Sequence, residues 1–150
     1  MIFVSSSCIK AKTIKESILA LVKEGFVNIE LSGGTEYFDD YVYDLLDLQS
    51  QYSLQYLVHN YFPPPRQHFM LNLASLHDDL YVRSIRHCKA AISLCKKIGS
   101  PKYGIHAGFL IDILPEEAGK RIGFKRLNNR EKALCRFCDA WKILNEYAQD

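Results

Sequence analysis

Short apolar runs alternate strictly with longer amphipathic segments along this chain, and this order constrains the fold more than any other feature. Four apolar runs have the length of strands, at residues 2–8, 27–31, 54–62 and 103–109. Each is followed by a segment with the three-to-four-residue apolar period of a helix, at residues 13–26, 37–52, 78–100 and 129–149. The alternation predicts an α/β fold with parallel strands and right-handed crossovers. Because the strands are nearly apolar throughout, we expect both faces of the sheet to be buried.

Local signals support the predicted helices. Thr13 and Glu16 have the spacing of a capping box at the start of the first helix, and Gly25 follows its end. The candidate core positions of the four helices are, in chain order, Ile14, Ile18, Leu21 and Val22; Phe38, Val42, Leu45, Leu46 and Leu48; Tyr81, Ile85, Cys88, Ile92, Cys95 and Ile98; and Leu134, Phe137, Trp141, Leu144 and Ala148.

The bulk properties agree with one globular domain that occupies residues 1–150. Hydrophobic residues make up 48% of the chain and charged residues 24%, which is typical of a folded protein and not of a disordered one. A formal net charge of +2 gives no general signature of nucleic-acid binding. No apolar run is long enough to cross a bilayer, and "MIFVSSSC" lacks the basic region of a secretory signal. We therefore expect a cytoplasmic protein without a membrane partner.

The five cysteines indicate reduced thiols, because their number is odd and their spacing forms no disulfide framework. Cys135 and Cys138 form a CxxC motif, which is the usual prompt for zinc or redox chemistry. The motif lies inside a predicted helix and has no second pair, so we expect plain helix packing.

One local basic cluster lies between the fourth strand and the last helix. Its members, opposed only by Glu131, are Lys120, Arg121, Lys125, Arg126, Arg130 and Lys132. Such a cluster can hold a phosphate or a nucleic-acid backbone. A solvated loop is the simpler interpretation, and we favour it. Three histidines, His68, His77 and His87, are also expected to be solvated.

Polar residues stand at the carboxyl ends of all four predicted strands, where parallel α/β folds place their functional sites. They are Ser6 within the serine run 5–7, Glu30, His59 with Asn60, and His106. Imidazole and carboxylate groups can move protons or bind a divalent metal. A hydrogen-bonded structural role is the competing interpretation for each histidine, and a helix-capping role is the competing one for Glu30.

Two architectures satisfy the alternation of four βα units. One is a small open sheet, and the other is the first half of an eight-stranded barrel, which typically has about 250 residues. The sequence stops at the close of a helix, where another strand would normally follow. This favours an incomplete barrel.

Several motifs resemble the xylose isomerase-like TIM barrels, a family that includes sugar phosphate isomerases and epimerases and the endonuclease IV type of apurinic nuclease. These motifs are "VHNYFPPP" with His59 and Asn60, "NLAS" from Asn72, "YGIHAGFLID" with His106, and "VNIELSGG" with Glu30. Their order and spacing cover nearly the whole chain. The resemblance implies the amino-terminal half of a (β/α)8 barrel, made of four alternating βα units.

The same resemblance implies roles for the strand-end residues. It makes His59 and His106 the candidate catalytic residues, with Glu30, Asn60 and Ser6 as candidate substrate contacts. In the endonuclease branch both histidines are metal ligands. The family's metal-binding carboxylates come mainly from the fifth and eighth strands. A divalent metal (Mn, Mg, Co or Zn) is therefore expected in the complete barrel, with half of its site outside this chain.

The function that we predict is isomerisation or epimerisation of a sugar or sugar phosphate, by metal-assisted proton transfer in a complete barrel. The chain alone is expected to be truncated and inactive. It is expected to pair with another copy or with a missing carboxyl-terminal half, because a half barrel exposes strand edges and an apolar face. The alternatives are an apurinic DNA-repair nuclease, against which the low net charge speaks, and a non-catalytic remnant that dimerises.

Overall fold

The computed structural model describes residues 1–121 and 127–149. The chain divides into two compact units. The first unit comprises Met1–Arg66 and Ala90–Ile105, and the second comprises Gln67–Lys89 and His106–Asp150. The prediction of a single domain over residues 1–150 stays a prediction.

The first unit contains a parallel sheet, as the alternation predicts. Within the described residues the sheet has four strands, in the spatial order β1-β2-β3-β4. The strands are β1 (Val4–Ser5), β2 (Asn28–Leu31), β3 (Gln55–His59) and β4 (Tyr103–Gly104). All three neighbouring pairs are parallel, with Glu30 opposite Leu57 and His59 opposite Gly104.

Four α-helices follow the strands in the described part of the chain, so the alternating α/β order is confirmed. They are α1 (Ile14–Lys23), α2 (Tyr41–Tyr52), α3 (Asp78–Ile98) and α4 (Arg130–Gln149). Short 3-10 turns also occur at Ser6–Cys8 and Pro115–Glu117. None of the helices in the described residues is both long and apolar enough to cross a membrane.

The predicted capping box at the start of α1 is confirmed. The Thr13 hydroxyl accepts a hydrogen bond from the Glu16 amide at 3.3 Å, and the Glu16 carboxylate accepts one from the Thr13 amide at 3.0 Å. Two amides that the first helical turn leaves without partners are thereby satisfied. The helix then places Ile14, Ile18 and Leu21 in the core of the first unit.

Only one face of the sheet is buried in the first unit. The buried residues of β2 and β3 alternate with partly exposed ones, and they are Ile29, Leu31, Tyr56 and Val58. They pack in one apolar cluster with residues of α1, of α2 and of the carboxyl-terminal part of α3. The expectation that both faces are buried is therefore wrong. Side chains of a strand point to opposite faces in turn, and the helices of this unit cover one face.

Some predicted helix positions are also wrong. Leu46 is 41% exposed on α2, and Leu134 and Trp141 are 58% and 53% exposed on α4. The buried residues of α4 are the predicted Leu144 and two alanines that were not predicted, Ala133 and Ala140. Alanine is small and allows close packing, so the buried face of α4 is not the face with the largest apolar side chains. The paired cysteines of the CxxC motif are likewise exposed on α4, so their predicted packing is wrong.

His87 is buried in the second unit, although the sequence predicts a solvated side chain. Its ring makes an edge-to-face contact with Phe69, with ring centroids 5.7 Å apart. Burial, with a smaller contribution from the charge of Arg83, lowers the pKa of His87 to about 4. The ring is therefore neutral at neutral pH. His68 and His77 are exposed, as predicted.

We predict that the free energy of unfolding falls as the pH drops from about 6.5 towards about 4. The unfolded chain binds a proton on His87 in this range, whereas the native chain does not. When His87 is fully protonated in the unfolded chain but not in the native one, the free energy of unfolding is lower by about 3 kcal/mol. Urea unfolding at several pH values should show that His87→Leu makes this dependence smaller.

The matched control is His68→Leu, which changes an exposed histidine in the same unit. It should keep the pH dependence of the unmodified chain. An equal pH dependence in His87→Leu and His68→Leu would contradict the assignment.

Candidate functional site

Three side chains of the first unit meet at the carboxyl ends of β2 and β3. The Glu30 carboxylate lies 3.1 Å from Nδ1 of His59. The Ser32 hydroxyl lies 3.4 Å from the same carboxylate oxygen and 3.3 Å from the same ring nitrogen. The side chains of His59 and Glu30 are 37% and 31% exposed, so solvent reaches the group. We call these three residues the strand-end triad.

The triad determines which ring nitrogen of His59 carries the hydrogen in the neutral ring. An ionised carboxylate only accepts hydrogen bonds, so the Nδ1 of His59 that faces Glu30 carries a hydrogen. In the neutral ring the lone pair then belongs to Nε2. The Ser32 hydroxyl can donate to the same carboxylate oxygen. The arrangement suits a histidine that takes up or releases a proton at Nε2 while Glu30 holds the ring.

Ser32 is the member that the sequence analysis missed, and Ser6 is what holds it. The Ser6 hydroxyl accepts a hydrogen bond from the Ser32 amide at 2.9 Å and lies 3.5 Å from the Ser32 carbonyl oxygen. Ser6 is 1% exposed. The signal for Ser32 was its place directly after the last residue of β2, in "ELSGG". For Ser6, the structure shows a bond that ties the end of β1 to the end of β2.

Gly104 sets the space beside the histidine ring. It pairs with His59 across β3 and β4, and a Cβ atom built on Gly104 would lie 3.0 Å from Cδ2 of His59. The ring therefore lies against backbone at this position. A side chain on residue 104 would push the ring and disturb its contact with Glu30.

Asn60, the predicted partner of His59 in the "HN" pair, is buried at 4% exposure. Neither polar atom of its side-chain amide has a hydrogen-bond partner within the described residues. Buried amides in proteins are almost always paired, with protein or with water. Its predicted contact with substrate stays a prediction.

His106 belongs to the second unit and lies beyond β4, which ends at Gly104 instead of residue 109. The ring is exposed. The chain leaves the extended strand path nearby, because Gly108 has a φ of +132°. Few residues other than glycine adopt this conformation. The predicted catalytic role of His106 stays a prediction.

The side chain of Asn72 holds the segment that follows His106. Its carbonyl oxygen accepts hydrogen bonds from the Phe109 amide at 2.9 Å and the Ala74 amide at 3.1 Å. Its amide nitrogen donates to the Phe109 carbonyl at 3.0 Å and to the Asp112 carboxylate at 2.7 Å. One buried amide thus fixes the path of residues 109–112 in the second unit.

The residues present fit a divalent metal only in part. Glu30 and His59 supply a carboxylate and an imidazole at one place, and both groups are common ligands of such metals. Within residues 1–121 and 127–149, however, no group of three or more histidine, cysteine, aspartate or glutamate side chains could hold a metal ion. A metal held by Glu30 and His59 would need further ligands from outside these residues.

The basic cluster is exposed wherever the structure describes it, as the solvated-loop interpretation predicts. The described members are Lys120, Arg121, Arg130 and Lys132. Lys125 and Arg126 lie outside the described residues.

Comparisons with known proteins give the fold of this chain. No family model and no curated protein matches the sequence. A solved structure described as a D-tagatose 3-epimerase-like protein matches with a TM-score of 0.67 and 18% identity, over 97% of this chain and 49% of that one. An L-ribulose 3-epimerase matches with a TM-score of 0.64 and 18% identity, over 99% and 46%. A protein described as SacUVDE matches with a TM-score of 0.52 and 17% identity, over 89% and 44%.

The class of fold follows from these matches. The described residues form four alternating βα units and have the fold of half of a (β/α)8 barrel. The predicted fold and the predicted structural resemblance are confirmed. The chain spans about half the length of the solved structures that it matches.

We predict that Glu30→Gln changes the tautomer of His59. The carboxylate holds the hydrogen on Nδ1, and a carboxamide can present a donor to that nitrogen instead. The long-range ¹H–¹⁵N spectrum of the histidine rings, at about pH 8 where histidines are mostly neutral, should show a larger Nε2–H population for His59. The control Glu36→Gln changes an exposed carboxylate and should leave the spectrum unaltered. An unchanged His59 tautomer in Glu30→Gln would contradict the contact.

We also predict that Gly108→Ala destabilises the chain more than Gly34→Ala. Both glycines have a positive φ, of +132° and +110°, so both substitutions cost about 1–3 kcal/mol of backbone strain. Only at Gly108 would the new Cβ lie 2.5 Å from the Asn72 carbonyl oxygen, whereas nothing lies within 4 Å at Gly34. The overlap should add about 1–3 kcal/mol, measured by urea unfolding. If both substitutions lowered the free energy of unfolding by the same amount, the result would argue against the role of Asn72 in holding residues 109–112.

Proposed function

We propose that this chain forms part of a sugar or sugar phosphate isomerase or epimerase, and that the strand-end triad belongs to its active site. The observation that carries the proposal is the contact of Glu30, Ser32 and His59 at the carboxyl ends of parallel strands. Enzymes with (β/α)8 barrels hold their active sites at this end of the barrel. Two of the solved structures described above are a sugar 3-epimerase or a protein like one, which supports this choice.

In the proposed reaction, His59 takes a proton from a carbon–hydrogen bond of the sugar or returns one to it, through Nε2. Glu30 accepts the Nδ1 hydrogen bond and stabilises the imidazolium that forms during the transfer. Ser32, held by Ser6, supports the carboxylate. Asn60 is proposed to contact the same sugar, and a catalytic role is proposed for His106 as well.

A divalent metal, bound by Glu30 and His59 with further ligands from outside the described residues, would polarise the sugar's carbonyl and hydroxyl oxygens. A histidine that binds the metal through Nε2 cannot move a proton at the same atom. The proton would then be moved by another residue.

The complete site is proposed to need a second half of the barrel. The chain spans about half of each of the three solved structures described above. The described residues hold one carboxylate at the triad, and it is already bonded to His59 and Ser32. We therefore propose that this chain alone binds a sugar weakly and turns it over slowly or not at all.

The apurinic nuclease stays an alternative without a specific observation in its favour. The chain carries a net charge of +2, and nucleic-acid binding draws most of its affinity from cationic contacts with phosphates. A cytoplasmic location stays a prediction as well.

The test is titration of the ¹⁵N-labelled chain with D-tagatose and with L-ribulose, with and without Mg²⁺, followed by NMR. We expect the largest shifts at Glu30, Ser32 and His59, with a dissociation constant on the order of millimolar. His59→Gln should weaken binding about tenfold or more, whereas the exposed control His68→Gln should not. Shifts elsewhere, or equal binding in both variants, would count against the proposal.

A further inference from the structure

One face of the sheet in the first unit is covered by helices, and the other is open. The side chains that alternate with the buried ones on β2 and β3 are partly or fully exposed, and they are Asn28, Glu30, Gln55, Leu57 and His59. Parallel sheets are almost always covered on both faces, because crossover helices or closure of a barrel bury them. The open face therefore needs a covering element.

The sheet also ends in two edges that another strand can extend. Within the described residues, β1 and β4 each have one neighbouring strand, β2 and β3 respectively. The chain before β1 is apolar, yet Met1 and Ile2 are 86% and 84% exposed. Met1 and Phe3 line a cavity of about 520 Å³ together with Gln55 and Leu57 of β3. Open strand edges beside exposed apolar residues favour strand pairing with another chain.

The matched structures indicate what kind of element covers such a face. This chain superposes on less than half of each of the three, at 44–49% of their length. In an eight-stranded barrel, four more parallel strands complete the sheet and enclose its inner face. The covering element must therefore supply four parallel strands that run in the same direction. A second copy of this chain supplies that number and that direction.

We propose that two copies of this chain pair through their sheets and form one eight-stranded barrel. β4 of each copy lies beside and parallel to β1 of the other, so both edges of both sheets are filled. The interface is isologous, as in most homodimers. Leu57 and the residues around it become barrel interior. Two strand-end triads then lie at the same end of the barrel, which raises the number of carboxylates there from one to two. This pairing does not depend on the proposed sugar chemistry.

The mass of the chain in solution, measured by light scattering and sedimentation across a range of concentrations, is the first test. We expect twice the 17.3 kDa chain mass for the unmodified protein. Leu57→Lys places a charge in the enclosed interior, so it should raise the dimer dissociation constant at least about 100-fold. The matched control is Leu46→Lys, because Leu46 is 41% exposed on α2 in the helical layer. It should leave the dimer intact.

A second measurement uses the unmodified chain, so it can be made even if Leu57→Lys does not fold. An isotope-filtered NOE spectrum of a mixed dimer, with one labelled and one unlabelled copy, reports contacts between copies only. We expect cross-peaks between Val4 or Ser5 of one copy and Tyr103 or Gly104 of the other. A monomer at all concentrations would overturn the proposal. So would a dimer that Leu46→Lys disrupts, or cross-peaks between helices instead of strand edges. If a stable monomer bound the sugar, that result would contradict the proposed dimer but would agree with the proposed function.

Discussion

The register between β2 and β3 is the constraint on which the rest of the first unit depends. Ile29 lies opposite Tyr56 and Leu31 opposite Val58, so one face is apolar and packs against the helices. The same register places the other residues of both strands on the opposite face, with Glu30 next to Leu57. A slip of one residue would exchange the two faces. The apolar core and the strand-end triad are thus two results of one pairing.

The sequence predicts the order of elements well because helix and strand periods are local. The capping box at Thr13, the length of α3 and the parallel order all follow from patterns within a few residues. The burial of each side chain depends on what packs against it, and this information is not local. Leu46, Leu134 and Trp141 belong to helices that were correctly predicted, yet the chain leaves them exposed. His87 shows the opposite case. Its neighbours in sequence are polar and predict an exposed side chain, yet the side chain is buried.

The candidate site was predictable only in outline. Glu30 and His59 stand at the ends of predicted parallel strands, and the topology brings them together. The position of Ser32 after β2 was the only signal for it in the sequence, because its contacts depend on a bend after β2 and on the hydrogen bond that its amide donates to Ser6. The end of β4 at Gly104 was missed for a similar reason. "YGIHAGF" has the composition of a strand, but Asn72, far away in the sequence, determines the path of its second half.

The hydrogen bonds of the Asn72 side chain affect which substitutions this protein can accept. Its bonds to Phe109 involve the amide and carbonyl of the main chain, and not the aromatic ring. The path of residues 109–111 is therefore held through backbone groups that every residue type except proline possesses in full, whereas Asp112 is held through its carboxylate. Residues 109–111 can exchange their side chains without losing the course of the chain. Selection can thus alter the chemistry of this loop by substitution while one asparagine preserves its architecture.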